Sequence, residues 1–117
     1  MDALLHPGAY IFTTAPSVPP GAQPVMIFTE DEGLTLILGQ ETADAFHLPY
    51  DLVLAWITIR AYTTLDGVGL TAAISTALAD AGISCNMVAA LNHDHVFVPL
   101  NDAPRAAALI RALQFPT

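Results

Sequence analysis

The residues with the clearest chemical potential run from Asp66 to Gly69, just before a predicted helix in the stretch TTLDGVGLTAAISTALADAGISCN. Glycine early in a helix costs up to about 1 kcal/mol relative to alanine, so two glycines there need a reason. The first-turn N–H groups of a helix lack intrahelical acceptors and suit a carboxylate. The sequence therefore favours a cradle for a small ligand at Asp66 to Leu70, with Asp66 offered to an ammonium group. The alternative is that Gly67 only allows tight packing on the sheet and that Asp66 is the N-cap.

A second group of reactive side chains comprises His93, His95 and Cys85. The two histidines share one face if the segment is extended, but zinc normally takes three or four ligands. His47 and Asp94 are the only further candidates, and neither stands at motif spacing. Cys85 has no recognisable catalytic partners and is expected to be an inert core thiol. We therefore expect no metal, no cofactor and no enzymatic activity.

The charge balance excludes several classes of partner. The 117 residues include eleven acids, three arginines and no lysine, for a net charge of −8 and a pI near 4.4. Nucleic acids and anionic membranes are bound largely through Lys and Arg, so neither partner is expected. Only 12% of the residues are charged while 54% are apolar. A surface this poor in charge predicts contact with another subunit.

The expected location is the cytoplasm. No window approaches the roughly 18 apolar residues of a membrane span, and the opening MDALLHPGAY lacks the basic residues of a secretion signal. A single cysteine allows no internal disulfide and fits a reducing compartment.

The first half of the chain predicts three strands and one short helix. Tyr10 to Thr14 is β-branched and aromatic, and the following APSVPPGAQP is too rich in proline for a helix or a central strand. A hairpin is predicted from Val25 to Leu38, around the turn EDEG. Gln40 to His47 is a helix candidate that ends before Pro49.

The second half predicts β-α-β-β-α. Ala55 to Thr63 alternates between apolar and mixed residues, as a strand does. The helix that follows carries an apolar stripe and ends at Gly82, which suits a left-handed C-cap. Two strands, SCNMVAAL and HVFVPL, flank the turn NHD. A last helix begins at Asp102, with Pro104 in its first turn, where proline is tolerated.

The two halves share one element order, with the Pro-rich segment in place of the first helix of the N-terminal half. We therefore predict an α+β fold with two antiparallel sheets and helices on one face. The expected division is 1–54 and 55–117. The second face of the C-terminal sheet, which includes Trp56 and Tyr62, is apolar enough to predict a covering sheet or subunit.

The segment AWITI…TTLDGVGLTAAISTALADAGISCNMVAALNHDHVFVPL resembles the ACT domain, a ferredoxin-like βαββαβ regulatory module. GAYIF and EGLTLIL resemble it more weakly. The chain as a whole is similar to small bacterial proteins of tandem ACT-like units, related to the regulatory region of aspartate kinase. The resemblance implies a truncated ACT-like unit at 1–54, an ACT domain at 55–117, and a homodimer without catalytic activity of its own.

The resemblance also implies an amino acid effector, bound where the first strand meets the first helix. The candidate ligand-binding residues are Thr64, Asp66, Gly67, Val68, Gly69, Leu70, Asn86 and Met87. Asn86 could instead close a turn, and Met87 could belong to the core. Two functions remain open: a small-molecule-binding regulatory protein acting through a partner or a dimer rearrangement, and an interaction module that binds no ligand.

Overall fold

The structure is a computed structural model that describes residues 1–61 and 64–114. The chain divides into two compact units, one formed by Gly8–Leu54 and the other by Met1–Pro7 together with the chain from Ala55 onward. We call them the N-terminal unit and the C-terminal unit. No helix in the described ranges has the length and hydropathy needed to cross a bilayer.

The C-terminal unit is a four-stranded sheet with two helices. Its elements are β1 (Ala3–Leu5), β5 (Leu54–Ile59), α2 (Leu70–Asp80), β6 (Asn86–Ala89), β7 (Asp94–Pro99) and α3 (Ala103–Ala112). The strand order is β1-β5-β7-β6. A single 3₁₀ turn, Leu100–Asp102, leads into α3, whose N-cap is Asp102 and whose first turn contains proline, as predicted.

Strand β1 was not anticipated from the sequence. It pairs antiparallel with β5, with Ala3 opposite Ile59. The pairing is extended at both ends, because the Arg60 N–H donates to the Asp2 carbonyl at 3.0 Å and the His6 N–H donates to the Trp56 carbonyl at 2.9 Å. β1 therefore occupies the position of the last strand of a βαββαβ unit.

Helix α2 differs from its prediction at one end and agrees at the other. It begins at Leu70 with Gly69 as N-cap, so the interpretation of Asp66 as the cap is wrong. The helix ends at Asp80, and Gly82 follows with a left-handed φ of 72°. The Gly82 N–H donates to Ala79 and the Ile83 N–H to Leu78, both at 2.9 Å, which is the Schellman arrangement.

The core of the C-terminal unit lies between its helices and one face of its sheet. Ile57, Ile59, Val96 and Val98 face the helices from the sheet. The buried residues of the helices are Leu70, Ile74, Leu78, Ala103, Ala106, Ala107 and Ile110. Leu109 and Leu113 are only partly covered, whereas three alanines of α3 are buried.

The N-terminal unit has the same plan without its first helix. It contains β2 (Tyr10–Ala15), β3 (Met26–Glu30), β4 (Gly33–Gly39) and α1 (Gln40–Ala45), in the sheet order β3-β4-β2. Leu54 pairs with Tyr10 on the other side of β2. The Pro-rich segment between β2 and β3 forms no helix. The fold is therefore α+β, with two ferredoxin-like units of which the N-terminal one is incomplete.

Candidate functional site

The loop between β5 and α2 is organised by its own polar groups. The Thr64 hydroxyl donates to the Asp66 carboxylate, and the Gly67 N–H donates to the Thr64 carbonyl at 2.9 Å. The hydrogen bond from Thr64 lowers the pKa of Asp66, which therefore stays ionised at neutral pH. Thr64 and Asp66 thus form an exposed turn with a fixed negative charge.

Helix α2 begins a few residues after this turn, with Gly69 as its N-cap. Its φ of 107° and ψ of −18° lie in the left-handed region, which glycine adopts without strain. Its carbonyl accepts the Ala73 N–H at 2.9 Å, and no side chain caps the helix. Within the described ranges the N–H groups of Leu70, Thr71 and Ala72 have no hydrogen-bond acceptor in the protein. This helix end therefore presents a set of unpaired donors.

The apolar side chains of the loop separate into two groups. Leu70 is buried in the core and can offer a ligand only its backbone. Leu65 and Val68 are 75% and 93% exposed, so both are available to cover a small molecule. Leu65 and Thr71, an exposed residue of the first helical turn, are not among the ligand-binding residues predicted from the sequence. A hydroxyl two positions after an N-cap glycine is the signal that would have found Thr71.

Asn86 and Met87 are not brought to this loop within one copy of the chain. They follow the C-terminal end of α2, whose 11 residues span about 16 Å. The exposed Asn86 has its amide nitrogen 3.4 Å from the Phe97 carbonyl, and Met87 packs against the core. Any shared site would need Asn86 from a second copy, and Met87 fits the core role left open by the sequence.

Two further observations concern the potential metal ligands and the thiol of the described residues. Residues 1–61 and 64–114 contain no group of three or more potential metal ligands. Burial raises the pKa of the Cys85 thiol, which disfavours the thiolate. Tyr62 and Thr63, from the same strand-to-helix connection, lie outside the described residues.

Comparison with known proteins identifies the family. Two ACT domain models match the chain, one over residues 1–55 and the other over residues 53–112. The chain belongs to the ACT domain family. None of the curated proteins matches its sequence.

Solved structures of similar length share the fold of this chain. A protein of unknown function from Vibrio cholerae, described as a possible transport protein, is 36% identical with a TM-score of 0.85, covering 93% of this chain and 86% of that one. The regulatory subunit of aspartate kinase from Thermus thermophilus, in its ligand-free form, is 15% identical with a TM-score of 0.66, and 97% of each chain is covered. An Agrobacterium tumefaciens protein is 19% identical with a TM-score of 0.78, covering 93% of this chain and 85% of that one. The last two likenesses concern the fold alone.

Proposed function

We propose that this ACT protein is a regulatory protein that binds a small molecule, an amino acid, at the loop between β5 and α2. The observation that carries the proposal is the first turn of α2, which no side chain caps and which follows the Thr64–Asp66 turn by a few residues. A negative group and a set of unpaired N–H donors thus stand a few residues apart on an exposed loop. An amino acid has the matching pair of charges.

The proposed recognition divides the ligand between these two features. The N–H groups of Leu70 to Ala72 bind the α-carboxylate, because helix N-termini favour anions. The Asp66 carboxylate binds the ammonium group, and its hydrogen bond from Thr64 holds it ionised. The exposed side chains of Leu65 and Val68 cover the ligand's apolar part.

The proposed site is completed by a second copy of the chain. Asn86 lies at the far end of α2 from the loop, so its amide can reach a ligand there only from another subunit. A ligand shared in this way stabilises one dimer arrangement by its differential affinity for the two states. The proposal gives the chain no catalytic step; its output passes through the dimer or a partner protein, in the cytoplasm.

Thermal-shift screening with the twenty amino acids tests the proposal. A ligand present at 100 times its dissociation constant should add about 2.7 kcal/mol to the free energy of unfolding. Gly69→Ala should remove the ligand-dependent shift, because a Cβ at a φ of 107° disturbs the start of α2.

Gly82→Ala is the matched control. It introduces similar backbone strain at a φ of 72°, at the opposite end of α2. Both variants should be less stable without ligand, but only Gly82→Ala should retain the shift. Equal shifts in the two variants would show that the ligand binds elsewhere.

An interaction module that binds no ligand is the second candidate, and β3 favours it. Val25, Ile27 and Phe28 are exposed on or beside this edge strand, and Phe28 is 63% exposed. An apolar edge strand is a ready site for association with another chain. No thermal shift with any amino acid at millimolar concentration, together with an oligomer that Phe28→Lys dissociates, would favour this function.

A further inference from the structure

Two histidines, a tryptophan and a threonine form a compact group on the C-terminal unit. We call His6, Trp56, Thr58 and His95 the histidine–tryptophan cluster. The rings of His6 and Trp56 stack with centroids 3.6 Å apart and planes at 10°. The Thr58 hydroxyl lies 2.6 Å from Nε2 of His6 and 3.0 Å from Nδ1 of His95. Trp56 Nε1 donates to Nδ1 of His95 at 3.0 Å.

The hydrogen bond from Trp56 determines the state of His95. An indole N–H can only donate, so Nδ1 of His95 must carry a lone pair and no proton. The ring is then neutral, with its proton on Nε2. Protonation would add the ring's second N–H at Nδ1, so that two N–H donors would face each other with Nδ1 and Trp56 Nε1 3.0 Å apart. The Trp56 bond is therefore compatible with neutral His95 and incompatible with its cation.

The surroundings of the cluster also favour neutral imidazoles. Burial and the charge of Arg60 lower the pKa of His6, and burial, His93 and His6 lower the pKa of His95. Asp94 opposes this effect on His95 but does not reverse it. A terminal guanidinium nitrogen of Arg60 lies 3.9 Å from a carboxylate oxygen of Asp2, which stands at the other end of β1.

The cluster holds the end of β1 on the sheet. His6 directly follows β1, its ring covers Trp56, and its backbone N–H donates to the Trp56 carbonyl at 2.9 Å. Trp56 is in turn held by His95 from β7. Trp56 is therefore the one side chain between His95 and the residue that follows β1, and a change in the state of His95 acts on the end of β1 through Trp56.

We propose that the histidine–tryptophan cluster is a proton-operated latch: protonation of His95 breaks its bond with Trp56 and loosens β1 from β5. The latch is closed with neutral imidazoles and opens in acid. Because β1 completes the sheet of the C-terminal unit, an acid shift exposes the β5 edge without unfolding the rest of the unit.

Fluorescence and hydrogen exchange on the full chain test the latch. Trp56 is the chain's single tryptophan, so its emission reports directly on the cluster. Emission should change in one step with a midpoint below pH 6.5, the ordinary value for histidine. Over the same pH range the amides of His6 and Arg60, which tie β1 to β5, should exchange at least about tenfold faster relative to the Gln40 amide. Gln40 donates to Ala9 in the N-terminal unit and corrects for the intrinsic effect of pH.

Three variants assign the step. His95→Asn keeps an acceptor for Trp56 near the position of Nδ1 but does not titrate, so it should abolish the faster exchange at His6 and Arg60. Any change of emission that remains in this variant comes from His6, which stacks on Trp56. His93→Asn removes a neighbouring positive charge and should keep the step with its midpoint raised. His6→Phe preserves a ring against Trp56 and should also keep it. Faster exchange at His6 and Arg60 that survives in His95→Asn, or a wild-type emission step without that faster exchange, would overturn the proposal.

Discussion

Replacing Arg111 by methionine should detach β1 in part, because Arg111 is the side chain of α3 that holds this strand. Its Nε and one terminal nitrogen donate to the Ala3 carbonyl at 3.2 and 3.0 Å. Methionine keeps an unbranched stem and a good helix propensity while removing both donors.

The expected loss follows from these bonds. A hydrogen bond from a charged donor contributes about 1.5–3 kcal/mol when shielded, and solvent competition at this partly buried site reduces the two bonds to about 1–2 kcal/mol in total. An unfolding entropy of about 2.1 cal/mol/K per residue gives about 0.25 kcal/mol/K for a chain of 117 residues. The Tm should therefore fall by about 4–8 °C in a calorimetric scan.

Arg105→Met is the control on the same helix. Arg105 is 58% exposed and forms one ion pair, with Asp102 at 3.7 Å. Such a pair contributes little, so this variant should change the free energy of unfolding by less than about 0.5 kcal/mol. The His6 and Arg60 amides should lose protection only in Arg111→Met. Equal Tm changes in the two variants would refute the role assigned to Arg111.

Three further predictions concern the core, the thiol and acid. Ile74→Ala removes a fully buried side chain of α2 and should lower the free energy of unfolding in urea by about 2–5 kcal/mol. Ile27 is exposed, so Ile27→Ala should change this free energy by less than about 0.5 kcal/mol. Similar losses in the two variants would contradict the burial pattern. Cys85 should react with a thiol reagent far more slowly in the folded chain than in urea, because burial raises its pKa; equal rates would contradict this. The pKa values of His6 and His95 are lowered in the fold. Their contribution to the free energy of unfolding is therefore complete above about pH 6.5, where both residues are also neutral in the unfolded chain, and it is lost as the pH falls below that value. Urea midpoints at pH 7.5 and 5 should differ accordingly, and a midpoint that rises in acid would reverse the sign.

The C-terminal half could be predicted from local patterns. The stripe of α2, the glycine after it and the proline at the start of α3 each act within a few residues, and each element appears where its pattern indicated. The family resemblance follows from the same stretch. Elements whose structure depends on residues nearby in the chain could therefore be predicted from the sequence.

The start of α2 and strand β1 could not be predicted in this way. Asp66 has the residue type of an N-cap, but its carboxylate accepts the Thr64 hydroxyl, and two further residues precede Gly69, the N-cap at which the chain enters the helix. β1 is only three residues long, and its partner β5 lies about 50 residues further along the chain. Neither feature produces a periodic pattern of apolar residues in the nearby sequence.

The candidate site was predicted only in part. The exposed loop and the unpaired donors of α2 could be expected from the glycines, whereas the opposite placement of Asn86 depends on the direction in which α2 runs. Trp56, Thr58 and His95 come from two strands, and their mutual bonds depend on how those strands pair. Spacing along the chain carries no information on either arrangement.

The origin of β1 makes the C-terminal unit a discontinuous piece of polypeptide. Its first strand precedes the whole N-terminal unit, so no single cut between the two halves yields both of them intact. During synthesis β1 cannot pair until β5 and α3 have been made. Closing so large a loop lowers the folding rate more than it lowers the stability of the folded state. A fragment starting at Ala55 should therefore expose an unpaired strand edge and self-associate, unless a peptide with the first seven residues is supplied in trans.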